Sequence, residues 1–175
     1  MESTTTSLSD TEWLGSSRIA KLVTDHWVKD LHATVKRYSD AYGLGPWKIA
    51  ELKAPLVGDV AFRGEPGHHI EWLAAMTEVG PLAVEVLQVI GGSDAVRAWA
   101  DQLDDGYWHF VSYHRELADA EEAQSKVRAS GFPIVLNGRV GGTKFFMFET
   151  GNLFGRMFEV AGGDLSGVAW ETFEG

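Results

Sequence analysis

Two stretches of this chain carry the same order of strand-like and helix-like patterns, and that repetition limits the fold more than any other feature. The first begins near Arg18. Ile19, Leu22, Val23, Trp27 and Val28 fall in a loosely alternating run that predicts a strand. Asp30 suits a helix N-cap, because its carboxylate can accept from orphan N–H groups. Leu31, Val35, Tyr38 and Tyr42 then follow at spacings of 4, 3 and 4, one face of a helix, and Gly43 closes it. Extended stretches come next at 48–52, 57–63, 69–78 and 82–90, with turns at Gly64-Glu65-Pro66-Gly67 and Gly80-Pro81. A short connecting helix is expected over about 93–103, with Ser93 as its cap.

The order then recurs. A strand at 107–113, a helix at 117–130 with Ala120, Ala123 and Val127 inward, and strands at 132–136, 143–149 and 156–161 repeat the βαβββ pattern, the first copy carrying one extended stretch more. One copy alone leaves a sheet face uncovered. The predicted fold is therefore α+β, with two βαβββ units, about 18–90 and 107–161, whose curved mixed sheets enclose a shared cavity. Residues 1–17, rich in Ser and Thr, are expected to be a mobile tail, and the Gly-rich 162–175 a C-terminal tail with no assigned role. At 175 residues the chain suffices for one domain, burying about 70% of its unfolded surface.

Composition removes several function classes. Fifteen basic against 25 acidic residues give a net charge of −10, which argues against nucleic acid or an anionic membrane as partner. With no cysteine there is no disulfide, thiolate nucleophile or cysteine-ligated metal. No apolar run approaches the roughly 20 residues of a membrane span, and MESTTTSLSD lacks the blocks of a signal peptide. A water-soluble, cytoplasmic protein acting on a small molecule is expected.

Three residues stand out because each interrupts an apolar strand: Glu85 in AVEVLQV, His109 in YWHFV and Glu159 in MFEVA. A carboxylate inside such a run is costly to bury unless paired, protonated or metal-bound. Any one alone fits a solvent-facing strand position equally well. The three at equivalent strand positions fit shared metal binding better. Alternation puts Val23, Asp25 and Trp27 on one face of the first strand and His26 on the other, towards the helix layer. His68 and His69 point to opposite faces, His114 lies on the face opposite to His109, and His32 is in the first turn of a helix. Either Phe146 and Phe148, or Phe145 and Met147, line the neighbouring strand.

The segment VKDL…Y…GLGPW (28–47), the strand VEVLQV (84–89), GYWHFV (106–111) and GRMFEV (155–160), in this order on these elements, resemble the vicinal oxygen chelate superfamily. Within it they are most similar to methylmalonyl-CoA epimerase-like and glyoxalase-like proteins. The resemblance implies a divalent metal inside the paired sheets, with Glu85, His109 and Glu159 as three of four ligands. The fourth should lie seven residues before Asp30, where this chain has Val23, which cannot bind metal. Asp25, two residues on, is then the candidate replacement ligand or general base. Two carboxylates and an imidazole suit Mn²⁺, Co²⁺, Ni²⁺, Zn²⁺ or Mg²⁺.

The resemblance implies a metal-dependent isomerase, epimerase or lyase acting on a small carbonyl substrate through an enolate-type intermediate, with Asp25, Glu85 and Glu159 as catalytic carboxylates. The alternative is a metal-free, drug-sequestering binding protein of the same fold, which the missing ligand at Val23 favours. A ring-cleaving dioxygenase would need two histidines and one carboxylate on iron, and only one histidine lies at a matching position. Relatives commonly dimerise, so a homodimer is a further expectation.

Overall fold

The computed structural model describes residues 19–151 and 156–174. The expected tail over 1–17 lies outside the described residues. The elements in chain order are β1 (Ile19–Trp27), α1 (Leu31–Tyr42), β2 (Trp47–Leu52), β3 (Val57–Phe62), β4 (Glu65–His68), β5 (Ile70–Val79), β6 (Leu82–Gly92), α2 (Asp94–Ala100), β7 (Tyr107–His114), α3 (Leu117–Ala129), β8 (Ile134–Val140), β9 (Thr143–Glu149), β10 (Met157–Gly162) and β11 (Glu171–Phe173).

Helix α1 starts and stops where its caps allow. The Asp30 carboxylate accepts from Ala33 N at 3.0 Å, and Gly43 takes a left-handed φ of 67° while its N–H donates to Ser39 O. Leu31 and Val35 are fully buried and join Trp47, Ala75, Val84 and Val86 between the helix and the outer face of β5 and β6. Helix α3 does the same for the second half, seating Ala120 on Phe148 and Val160.

The eleven strands form one curled mixed sheet in the order β11-β2-β5-β6-β1-β7-β10-β9-β8-β3-β4. Its two halves repeat: β2-β5-β6-β1 and β8-β9-β10-β7 are equivalent runs. β1 is parallel to β6, β7 is parallel to β10, and β1 meets β7 antiparallel at the seam. The inner faces of both halves share one core containing Val23, Trp27, Leu52, Trp72, Val111, Phe145 and Met147. The paired arrangement is therefore as the repeat predicts. No helix among the described residues is long and apolar enough to cross a membrane.

Three details differ from the sequence expectation. The extended stretch 57–63 does not stay with the first half: β3 pairs with β8 and extends the edge of the second. The turn expected over 64–67 is tighter, with Arg63 at φ 50° and Gly64 at φ 85°, and the chain returns at once as the edge strand β4. Two adjacent positive-φ residues match the right-handed strand twist, and Pro66 is tolerated because β4 is an edge. In return, the segment expected as a C-terminal tail crosses to the first half, where β11 pairs with β2. Each half is thus flanked by chain from the other end of the molecule, which covers edges that would otherwise be open.

A candidate metal centre at the seam

Strand register brings the site together. Asp25 lies opposite Glu85 on β6 and opposite His109 on β7, while Glu159 on β10 lies opposite Val111. All four side chains belong to the inner face, as alternation requires. His109 is 0%, Asp25 2% and Glu159 6% exposed. His109 Nε2 stands 3.2 Å from Glu159 Oε2 and 3.5 Å from Asp25 Oδ2. The ring of His109 is flanked by Trp27 and Tyr107, with centroids 6.5 and 6.4 Å away.

The sequence expectation named Glu85, His109 and Glu159 as ligands. The structure brings all three near one another and adds Asp25. The set whose donor atoms lie mutually within 4.8 Å is Asp25, His109 and Glu159. Glu85 stands beside Asp25 and lines the cavity in front of that trio.

The internal repeat explains the exchange. Glu85 is opposite Asp25, and its counterpart Glu159 is opposite Val111. Superposing the halves therefore puts Asp25 on Val111 and Val23 on His109. The pair Val23–Val111 maps onto the pair Asp25–His109, and both occur in the β1–β7 register. The acidic side chain of β1 stands at 25, one alternation step along the strand from Val23. It remains on the cavity face, where Val23 also lies.

The electrostatics are those of a centre short of positive charge. Burial pushes the Asp25 carboxyl well above its ordinary range, and the charges of Glu85 and Glu159 push it further. Burial, then the Glu159 charge, lifts Glu85 from 4.5 to about 7, and contact with Asp25 offsets part of the rise. No lysine or arginine lines the cavity among the described residues. His109 Nδ1 is buried without a hydrogen-bond partner among the described residues. A divalent ion fits these residues: one imidazole and two carboxylates are an ordinary donor set. Donor separations of 3.2 and 3.5 Å are near those spanned by two bonds of about 2.1 Å.

The cavity in front of the trio is about 80 Å³, room for several waters or a small organic molecule. Leu52, Trp72, Leu87, Phe145 and Met147 form much of its wall. Of the two sets proposed for β9, Phe145 and Met147 face inward, whereas Phe148 is buried under α3. His26 points to the helix layer as expected, with Nδ1 3.0 Å from the Tyr38 hydroxyl, and burial lowers its pKa. Sequence reasoning missed Leu165, Val168 and Trp170, which roof the cavity from the C-terminal segment. Their irregular spacing in a Gly-rich stretch has neither helical nor strand period, so no periodic signal marked them. Tyr107, two residues before His109 on the same face of β7, was findable by alternation.

No family model matches the sequence, and no curated protein matches it. Solved structures do match. A methylmalonyl-CoA epimerase from Mycobacterium tuberculosis aligns with a TM-score of 0.52 at 13% identity, over 83% of this chain and 89% of that one. A hypothetical protein from Bacillus halodurans aligns with a TM-score of 0.51 at 12% identity, over 81% and 92%. A variant of 4-hydroxymandelate synthase from Streptomyces coelicolor aligns over 90% of this chain and 41% of its own, with a TM-score of 0.48 at 13% identity. At these identities the alignments show a shared fold, the paired βαβββ arrangement that the sequence resemblance implies.

Proposed function

We propose that this protein is a metal-dependent isomerase, epimerase or lyase that moves a proton on a carbon next to a carbonyl group. One observation carries the reading: two buried carboxylates, the half-buried Glu85 and a buried imidazole converge at the polar end of an apolar cavity that no lysine or arginine among the described residues lines. In this reading Asp25, His109 and Glu159 hold a divalent ion, and Trp27 and Tyr107 fix the plane of the imidazole. A bound ion would supply Lewis-acid stabilisation of the charge that develops on substrate oxygen. Glu85 faces the same cavity from outside the trio and carries the proton. Standing outside the ligand set, its carboxylate is free to take a proton and return it, and burial raises its affinity for that proton. The apolar wall keeps water from the reacting carbon. The epimerase among the structural neighbours supports this reaction class without specifying the substrate.

The experiment is proton exchange. Protein loaded with Zn²⁺, a diamagnetic ion, is incubated in D₂O with a panel of small hydroxy ketones and 1,2-diketones. Deuterium entry next to the carbonyl is followed by NMR. The expected result is exchange about 100-fold above buffer for at least one compound, lost in Glu85→Gln with metal content unchanged. A second reading, a metal-free binding protein, rests on Val23 at the position equivalent to His109. Equal binding of the panel with and without metal, and no exchange, would establish that reading instead.

A further inference from the structure

The segment between β10 and β11 crosses from the second half of the sheet to the first, and it packs on two cores. Leu165, Val168 and Trp170 line the cavity and rest on the inner core. Phe173 instead joins the cluster of Leu31, Val35 and Trp47 under α1, where its ring stands 6.4 Å from that of His32, centroid to centroid. Ser166, Gly167 and Ala169, between these anchors, are exposed.

The two ends of the segment are held unequally. At the β10 end, Gly163 N donates to His114 O at 3.2 Å, the Tyr113 hydroxyl donates to Gly163 O at 2.7 Å, and Gly142 N donates to Asp164 O at 3.1 Å. Gly163 sits at φ 122°, and a Cβ there would lie 2.4 Å from Gly142 O, so the backbone at this end is clamped. A local turn continues it: the Asp164 carboxylate accepts from Ser166 N at 2.7 Å, and Val168 N donates to Leu165 O at 3.2 Å. The far end is held by the three residues of β11, paired as Glu171 with Ile49, Thr172 with Lys48 and Phe173 with Trp47. A short pairing at the edge of a sheet belongs to the low-stability part of a fold and opens before the core does. Gly167 lies between the two ends at φ 97°, and a Cβ there would meet nothing within 4 Å, so the backbone can turn at this point without collision.

Closure has opposing terms. It covers the apolar faces of Val168 and Trp170. It also leaves Thr143, on the cavity wall, with its hydroxyl buried and unpartnered among the described residues, a cost that entering water relieves.

We propose that residues 168–173 form a strap, hinged at Gly167 and latched by Phe173, whose opening from the β11 end is the way into the cavity.

The chain has no cysteine, so one introduced thiol reports access. Val111→Cys is nearly isosteric and puts that thiol on the cavity wall, at a position 3% exposed. The probe is methyl methanethiosulfonate, small and uncharged, with chelator present. The thiolate attacks the probe's methylthio sulfur, forming a methyl disulfide and releasing methanesulfinate. Mass spectrometry reads the labelling rate in Val111→Cys alone and combined with Phe173→Ala, Gly167→Ala or Val127→Ala. Phe173→Ala removes the latch. Gly167→Ala penalises only the closed φ. Val127→Ala loosens the packing under α3, in a different cluster. Urea unfolding gives the global stability of each protein. Labelling of Val111→Cys alone should be at least about a hundredfold slower than that of a free thiol. Phe173→Ala should accelerate it about tenfold or more, and Gly167→Ala about threefold or more, both beyond what their loss of global stability accounts for. Val127→Ala should not exceed that allowance. Labelling of Val111→Cys alone as fast as a free thiol, or acceleration by Phe173→Ala no greater than global destabilisation accounts for, would overturn the strap. If Phe173→Ala fails to fold, Gly167→Ala decides, and an unchanged rate there overturns it. The readout needs neither bound metal nor turnover, so failure of the strap leaves the proposed reaction standing, and failure of the reaction leaves the strap.

Discussion

Asp25 faces His109 across the β1–β7 seam, with Oδ2 3.5 Å from Nε2, and the repeat-related position on the other diagonal is filled by Val23 facing Val111. The centre is therefore asymmetric: one diagonal of the seam is polar and the other apolar. An ion held here draws on the polar diagonal and on Glu159. Asp25→Asn keeps the shape and removes the charge, so it should weaken divalent-ion binding at least about tenfold. Titration of the variant with Mn²⁺ checks this. Val23→Ala, which adds no donor on the apolar diagonal, should leave the affinity nearly unchanged.

The pH dependence of the metal-free protein follows from the raised carboxyls. Asp25 and Glu85 bind protons more tightly folded than unfolded, so the unfolded chain releases them first as pH rises. Stability then falls as pH climbs through the interval from 4.5 to about 7 for Glu85, costing about 3 kcal/mol by the upper end. Thermal melts between pH 5 and pH 8 should show a declining Tm in the presence of chelator. Glu85→Gln should flatten much of that decline, and a saturating divalent ion should raise Tm most at the high-pH end.

Gly162 lies where β10 passes under α3. A Cβ there would stand 2.6 Å from Ala120 Cβ and 2.9 Å from His114 O, both in packed positions. Gly162→Ala should destabilise the fold by about 1–3 kcal/mol through overpacking, read as a lowered midpoint in urea. Of the three residues proposed to hold the ion, only Asp25, on β1, lies in the first half, and Glu159 shares β10 with Gly162.

Phe148 is fully buried between β9 and α3 and makes no part of the cavity. Phe148→Ala should cost about 3–5 kcal/mol. Its denaturation midpoint should fall sharply, while ligand binding by the remaining folded protein stays as in the wild type. Phe145→Ala, one alternation position group away on the inner face, should instead alter ligand binding.

The contrast between Phe145 and Phe148 shows what sequence patterns reveal and what they leave open. Alternation separated the two faces of β9 but did not say which face meets the cavity, because both are apolar. The repeat exposed the paired sheets, and the polar interruptions at 85, 109 and 159 exposed the site, because a charge inside an apolar strand has few stable explanations. Asp25 was reachable by counting along β1 from Val23. The strand exchanges were not reachable: β3, β4 and β11 are short, and pairing with one edge or another depends on where the chain lies in space, which local periodicity does not encode. The roof residues Leu165, Val168 and Trp170 escaped for the same reason.

The central claim is that Asp25, His109 and Glu159 together hold one divalent ion, and calorimetric titration of chelator-stripped protein with Zn²⁺ or Mn²⁺ tests it most directly, run on the wild type and on Asp25→Asn, His109→Ala and Glu159→Gln. The account predicts one site per chain in the wild type and an affinity lowered at least about tenfold in each variant, with all four proteins folded by circular dichroism. Absence of saturable binding in the wild type, or binding that none of the three substitutions weakens, would contradict it.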